Sequence, residues 1–292
     1  MDKSDFVRPI NELAAMFRKP SKIKDKMIRK KIIKQLIYNF PKANEKGYLN
    51  HYSDNLINTI LEEDFKTDLE NGDGNELYGK FQALHSSSAL GVNFFGLFKR
   101  NLDKFVVLGE KDFKESQFEK KLPTGMSRPP NLDFYLENES FIIGFESKFL
   151  ETLSQKKPEI SSAYSDLLLS KVDEGFIKII SHYRENNTKS YLDTAQLIKH
   201  SIGLIKNKGK KNAKLIYIYW EPLNALEFIQ YKQHKIELEE FSERIKSVKG
   251  IEFHHTTYLE FYNNYINDDF FKYHLENFRN KYFFELKLET KN

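Results

Sequence analysis

Apolar and polar residues alternate with a period of two along "SQFEKKL" (residues 116–122), "LDFYLE" (132–137) and "SFIIGFESKF" (140–149), the period of a β-strand. "KFVVLGE" (104–110) is a short apolar run and is predicted as a further strand. "AKLIYIYW" (213–220) is rich in β-branched and aromatic residues, which suits a buried strand. Elsewhere the apolar positions fall at helical spacing: over residues 11–64, in "ELYGKFQALHSSSAL" (76–90), in "VDEGFIKIISHYRE" (172–185), in "SYLDTAQLIKHSIGLIKN" (190–207) and through the tail from Ala225. The turn formers in "ENGDGN" suggest a boundary, dividing a helical N-terminal extension (1–74) from the remainder (75–292), whose C-terminal part is helical and rich in aromatics.

The polar interruption "ENES" between the two central strands predicts an antiparallel hairpin. On the second strand Phe141, Ile143 and Phe145 share one face, and Ile142, Gly144, Glu146 and Lys148 share the other. An even-length loop then places Leu132, Phe134 and Leu136 with the first set, and Asp133 with Glu146 and Lys148. With Asn138 and Glu139 as the turn, Asp133 lies opposite Gly144 and diagonal to Glu146, roughly 7–8 Å away. Gly144 is expected to leave space beside them.

The absence of cysteine excludes disulfides, thiolate metal sites and cysteine nucleophiles, and leaves the carboxylates as the candidate chemistry. Two carboxylates at such a distance in a partly dry site call for a cation between them. Oxygen-only ligands favour Mg²⁺ or Mn²⁺, which stabilises charge on a phosphoryl group and makes a bound water more acidic. A net charge of +4 says little about partners, but the Lys-rich stretches near the N-terminus and in "IKNKGKKNAK" are suited to phosphates. The charged first residues do not form a signal peptide, and no apolar run approaches a membrane span, so a cytoplasmic protein is expected.

"PNLD" (130–133) followed by "ESK" (146–148) resembles the active-site signature of the PD-(D/E)XK phosphodiesterase superfamily, the restriction-endonuclease-like fold. The match departs from the consensus in that Asn131 and Leu132 separate the Pro from the Asp. "LHSSSALGVNFFG", "NLDFYLE", "ESKFLE", "AQLIKHSIGL" and "YIYWEP" also look like a poorly characterised bacterial group of restriction-endonuclease-like proteins. The resemblance implies an α/β fold whose core runs helix, three antiparallel strands, helix, strand, with helical extensions at both ends. It also implies a Mg²⁺- or Mn²⁺-dependent endonuclease acting on nucleic acid, foremost double-stranded DNA. In the site that it implies, Asp133, Glu146 and the backbone carbonyl of Ser147 hold metal, Lys148 serves the attacking water, and Gln196 supports them. Glu76, on the expected first core helix, is a further metal candidate. A homodimer would suit double-strand cutting by symmetry. The alternative function is a nucleic-acid-binding module that retains the fold without turnover.

Other residues have weaker patterns. His200 lies one helical turn after Gln196 on the same face and reads as a helix histidine. Glu119 is a candidate acid on the strand before the hairpin but reads equally well as a solvated edge, and Ser86, Ser87 and Ser88 read as a polar turn able to contact phosphate. "GNELYGKF" has the spacing of a phosphate loop, but Phe81 stands where a Ser or Thr is needed and no strand precedes it. His254 and His255 would point apart on a strand, which does not make a metal site.

Overall fold

The computed structural model of the chain describes residues 23–72, 77–125 and 129–287. The helices, in chain order, are α1 (Asp25–Asn39), α2 (Lys66–Glu70), α3 (Ser87–Arg100), α4 (Asp166–Leu169), α5 (Gly175–Glu185), α6 (Thr194–Asn207), α7 (Ile229–Ile245), α8 (Tyr258–Asn263) and α9 (Lys272–Tyr282). The strands are β1 (Glu115–Lys121), β2 (Asn131–Glu137), β3 (Phe141–Lys148), β4 (Asn212–Tyr219) and β5 (Glu252–Thr257), and they form one open sheet in sequential order. β1, β2 and β3 are antiparallel neighbours, whereas β4 runs parallel to β3 and β5 parallel to β4.

Both faces of the sheet are covered, as expected where parallel strands are joined by helices. Along β4, Ile216 and Ile218 enter one apolar core and Leu215, Tyr217 and Tyr219 the other. The first core gathers Phe134, Ile143 and Phe145 from the sheet with Phe94, Phe95 and Phe98 of α3 and Phe278 of α9. Its density of ring contacts accounts for the phenylalanine-rich composition: Phe95 stacks on Phe134 with centroids 4.7 Å apart, and Phe94 meets Phe278 edge-on at 4.8 Å. Ile28, Ile32 and Leu36 on α1 enter this same core. The second core packs Ile179 and Ile180 of α5, Ile198 and Ile202 of α6 and Phe241 of α7 beneath the other face.

Several elements differ from their local signals. Among the described residues of 76–90, only Lys80–Gln82 forms a short 3-10 turn before α3 starts at Ser87; the helix begins where Ser86 caps the Ala89 amide at 3.2 Å. "KFVVLGE" is no strand: Val107 and Glu110 close a tight turn on each other, with Leu108 and Gly109 at positive φ. Residues 252–257, within the stretch predicted to be helical, form β5, because the open edge of β4 offers a ladder of partners that local propensity does not record.

The hairpin has the expected even parity but a different register. Asn138 accepts the amides of Ser140 (2.9 Å) and Phe141 (2.7 Å), so Glu139 and Ser140 form the turn, and Tyr135 rather than Asp133 lies opposite Gly144. The ladder stops at Phe134↔Phe145, and counting on from there puts Asp133 level with Glu146. On the other side of β2, Phe118↔Phe134 and Lys120↔Leu132 pair, while Glu119 between them turns to positive φ. This bulge-like break re-aims the neighbouring side chains. Leu132 therefore joins the second core, opposite Phe134 and Leu136, contrary to simple alternation.

Gly144 leaves no space, since a Cβ there would lie 2.6 Å from Leu132 Cδ1 and 3.2 Å from Leu204 Cδ1. Both leucines are fully buried, so Gly144→Ala is expected to destabilise the fold by about 1–3 kcal/mol through overpacking. Urea unfolding measures this, and an unchanged midpoint would show that the two side chains can yield.

Candidate active site

The site forms where β3 runs under α6. Alternate residues of a strand advance by about 6.7 Å and residues one turn apart on a helix by about 6 Å, so two such rows stay in step over two turns. Lys148, Glu146 and Gly144 on β3 accordingly meet Gln196, His200 and Leu204 on α6. Lys148 Nζ donates to Gln196 Oε1 at 2.9 Å, and His200 Nε2 lies 2.7 Å from Glu146 Oε2. Lys148 Nζ also contacts Glu146 Oε1. The start of α6 sets this phase, because Asp193 Oδ1 accepts the Gln196 amide at 3.1 Å and begins the helix at Thr194.

Asp133 reaches the same place from β2. Where the β2–β3 ladder ends, its Oδ2 accepts the Ser147 backbone N–H at 2.6 Å and replaces the missing strand partner. Ser147 is held from the other face too, its Oγ lying 2.7 Å from the Tyr258 hydroxyl at the start of α8. The residue between Glu146 and Lys148 is thus clamped from both sides.

The two carboxyls have opposite electrostatics. Burial and the nearby Glu146 charge push the Asp133 carboxyl well above its ordinary range. Burial would raise Glu146 as well, but Lys148 and His200 hold it down at about 2. The Lys148 ammonium, penalised by burial, is raised by Glu146 and Asp133 and stays charged. The acid level with Glu146 is therefore the one short of positive charge.

Asp133, Gln196 and His200 line an open cleft of about 1150 Å³. Glu119, on the edge strand β1, lines it as well and adds to the negative potential on Asp133. Ser86, Ser87 and Ser88 line the cleft at the start of α3, with Ser87 Oγ donating to Glu151 at 3.0 Å. Arg29, Lys80, Lys156, Lys157 and Lys199 supply positive charge around it. Among the described residues no three Asp, Glu or His side chains form a ready metal cage. Glu76 lies outside the described residues. His254 and His255 do sit on a strand, β5, and pair with Glu252 and Glu239 rather than with each other.

Sequence reasoning ranked His200 as an ordinary helix histidine, and its contact with Glu146 was missed. The available signal was the spacing of Gln196 and His200 against that of Lys148 and Glu146, two rows of equal step.

Among the described residues no helix is long and apolar enough to cross a membrane. No curated protein and no solved structure matches the chain. The model of one protein family, described as "Restriction Endonuclease associating with ARP", matches residues 17–283, nearly the whole chain. A chain matched over that length belongs to this restriction-endonuclease-associated family.

Proposed function

We propose that the protein is a PD-(D/E)XK-type nuclease that hydrolyses phosphodiester bonds in nucleic acid, foremost DNA, with Mg²⁺ or Mn²⁺. The observation that carries this reading is the gathering of Asp133, Glu146 and Lys148 around Ser147: Asp133, which lines the cleft, accepts the Ser147 N–H, and Glu146 and Lys148, which flank Ser147 on β3, contact each other. The order α3, β1, β2, β3, α6, β4 supports it: with α4 and α5 inserted before α6, it is the succession of helix, three antiparallel strands, helix and strand.

The residues present fit a hard divalent cation. Asp133 is a carboxyl whose ionisation is opposed by burial and by its neighbour, the condition that a nearby cation relieves. Asp133, Glu146 and the Ser147 carbonyl are all oxygen donors, and Mg²⁺ is commonly held by one or two carboxylates while keeping several waters. When bound, the cation neutralises phosphoryl charge and makes a water more acidic. The chain's own residues do the rest. Lys148 presents an ammonium beside the carboxylates, held by Gln196, where it orients the attacking water and offsets charge on the phosphoryl oxygens. Asp133 fixes the Ser147 amide, and with it the direction of the adjoining carbonyl. Arg29, Lys156, Lys157 and Lys199 attract the polyanion to the cleft.

Incubating the purified protein with plasmid and oligonucleotide substrates plus Mg²⁺ or Mn²⁺ tests the reading. Cleavage is expected from the wild type, and Lys148→Ala is expected to lower it at least about 100-fold. Cleavage by Lys148→Ala at the wild-type rate would remove the assignment.

A further inference from the structure

The cleft has a wall that the hydrolytic reading does not use. Tyr48 lines it together with His85 and Lys80. Its side chain is 41% exposed, although the backbone that carries it is firmly built. The Tyr48 amide donates to Asn44 Oδ1 at 3.0 Å, its carbonyl accepts the Asn44 amide at 2.8 Å, and Gly47 closes the turn at positive φ. On the far side, Leu49 N–H reaches Gln82 O at 2.9 Å and Leu84 N–H reaches Gly47 O at 2.8 Å, which joins this turn to the strand-like segment around Ala83. The ring itself packs against His85 in a T-shaped contact with centroids 5.8 Å apart.

An exposed ring on a rigid backbone at the wall of a basic cleft is a pre-ordered surface for another flat ring. Lys157 and Lys199, which line the same cleft, have no carboxylate at ion-pair distance among the described residues, so their charge is available to phosphates.

We infer that Tyr48 is a stacking platform for an unpaired nucleobase, so that the cleft takes nucleic acid as a single strand, with a base against Tyr48 and phosphates on the lysines. This rests on the nuclease reading and narrows its substrate. Bases inside a duplex have no free face, whereas every unpaired base has one, so the platform discriminates by strandedness rather than by sequence.

Fluorescence anisotropy of the full chain with a labelled single-stranded oligonucleotide and with the matching blunt duplex, in EDTA so that nothing is cut, tests it. The wild type is expected to bind the single strand more tightly than the duplex. Tyr48→Ala and Tyr48→Leu are expected to weaken single-strand binding roughly 5- to 100-fold and duplex binding less than about twofold, with Tyr48→Phe close to wild type. The leucine variant keeps an apolar side chain against His85, so its loss cannot be laid to a collapsed turn. Wild-type affinity in the leucine variant, or equal losses on both polymers, overturns the platform while leaving the nuclease reading standing. A wild type that binds neither polymer overturns both.

Discussion

Asp133→Asn is expected to melt higher than the wild type in EDTA and to cut no nucleic acid. The carboxyl of Asp133 is half-buried, level with Glu146 and beside Glu119, and each of these disfavours its charge. An amide has nearly the same shape, and its oxygen can still accept the Ser147 N–H, so the substitution removes repulsion without removing the hydrogen bond. A gain of about 1–3 kcal/mol at pH 7 follows from like charges in a partly dry site. The sign can be checked with pH. A carboxyl whose folded-state pKa is raised contributes stability that is present below its unfolded value and is lost as pH rises through the folded one. The gap between variant and wild type should therefore be widest near neutrality and close as the pH falls towards 4. Adding Mn²⁺ should raise the melting temperature of the wild type and leave the variant unmoved, because only a state that binds the ion is stabilised by it. A variant that melts lower in EDTA, or that still cleaves, contradicts this account of Asp133.

Glu146→Gln is expected to act in the opposite direction on stability. Glu146 is 1% exposed, and its two oxygens meet Lys148 Nζ and His200 Nε2. Removing the anion leaves the Lys148 ammonium, itself only 12% exposed, without its nearest counter-charge. Breaking one side of a buried pair costs about 3–5 kcal/mol, far more than the pair contributes relative to apolar residues. Denaturant unfolding should show the loss in EDTA, and calorimetry at permissive temperature should show that Mn²⁺ binding is gone. A variant as stable as the wild type would mean that water reaches Lys148 and screens it. Retained Mn²⁺ affinity would assign the ion to other residues.

Taken together, the two variants separate a carboxyl whose charge its surroundings oppose from one whose charge its neighbours hold in place. Burial and the Glu146 charge outweigh what Lys148 offers Asp133, whereas Glu146 is held in its charged form. Lys148 is shared between them. Its contact with Glu146 and its bond to Gln196, which lines the cleft, fix the position of the ammonium.

Much of the site was legible in the sequence because it rests on local periods. A repeat of two along "FIIGFESK" places Glu146 and Lys148 on one face of β3 whatever the rest of the chain does. A repeat of one turn places Gln196 and His200 on one face of α6 by the same kind of rule. The hairpin, too, was written locally, in a polar interruption between two alternating runs.

Its register was not. The turn was settled by Asn138 taking two amides, a choice between neighbouring two-residue turns that residue type alone leaves open. That single residue of shift moved Asp133 from Gly144 to Glu146. The break at Glu119 and the turning of Leu132 into the second core depend on β1 and β2 losing their ladder at one level, which no single strand encodes. β5 and the late start of α3 have the same origin: an open sheet edge and a capping serine outweighed weak local preference.

The sequence by itself therefore determined which residues could share a face, because alternation and helical repeat follow from backbone geometry within a segment. Only the tertiary structure decided which faces meet. His200 on Glu146 and Tyr48 at the cleft wall bring together segments far apart in the chain, and Asp133 on Ser147 follows from the register that the hairpin takes. Such contacts are chosen by how the two cores pack against the sheet, a property of the whole fold rather than of any one segment.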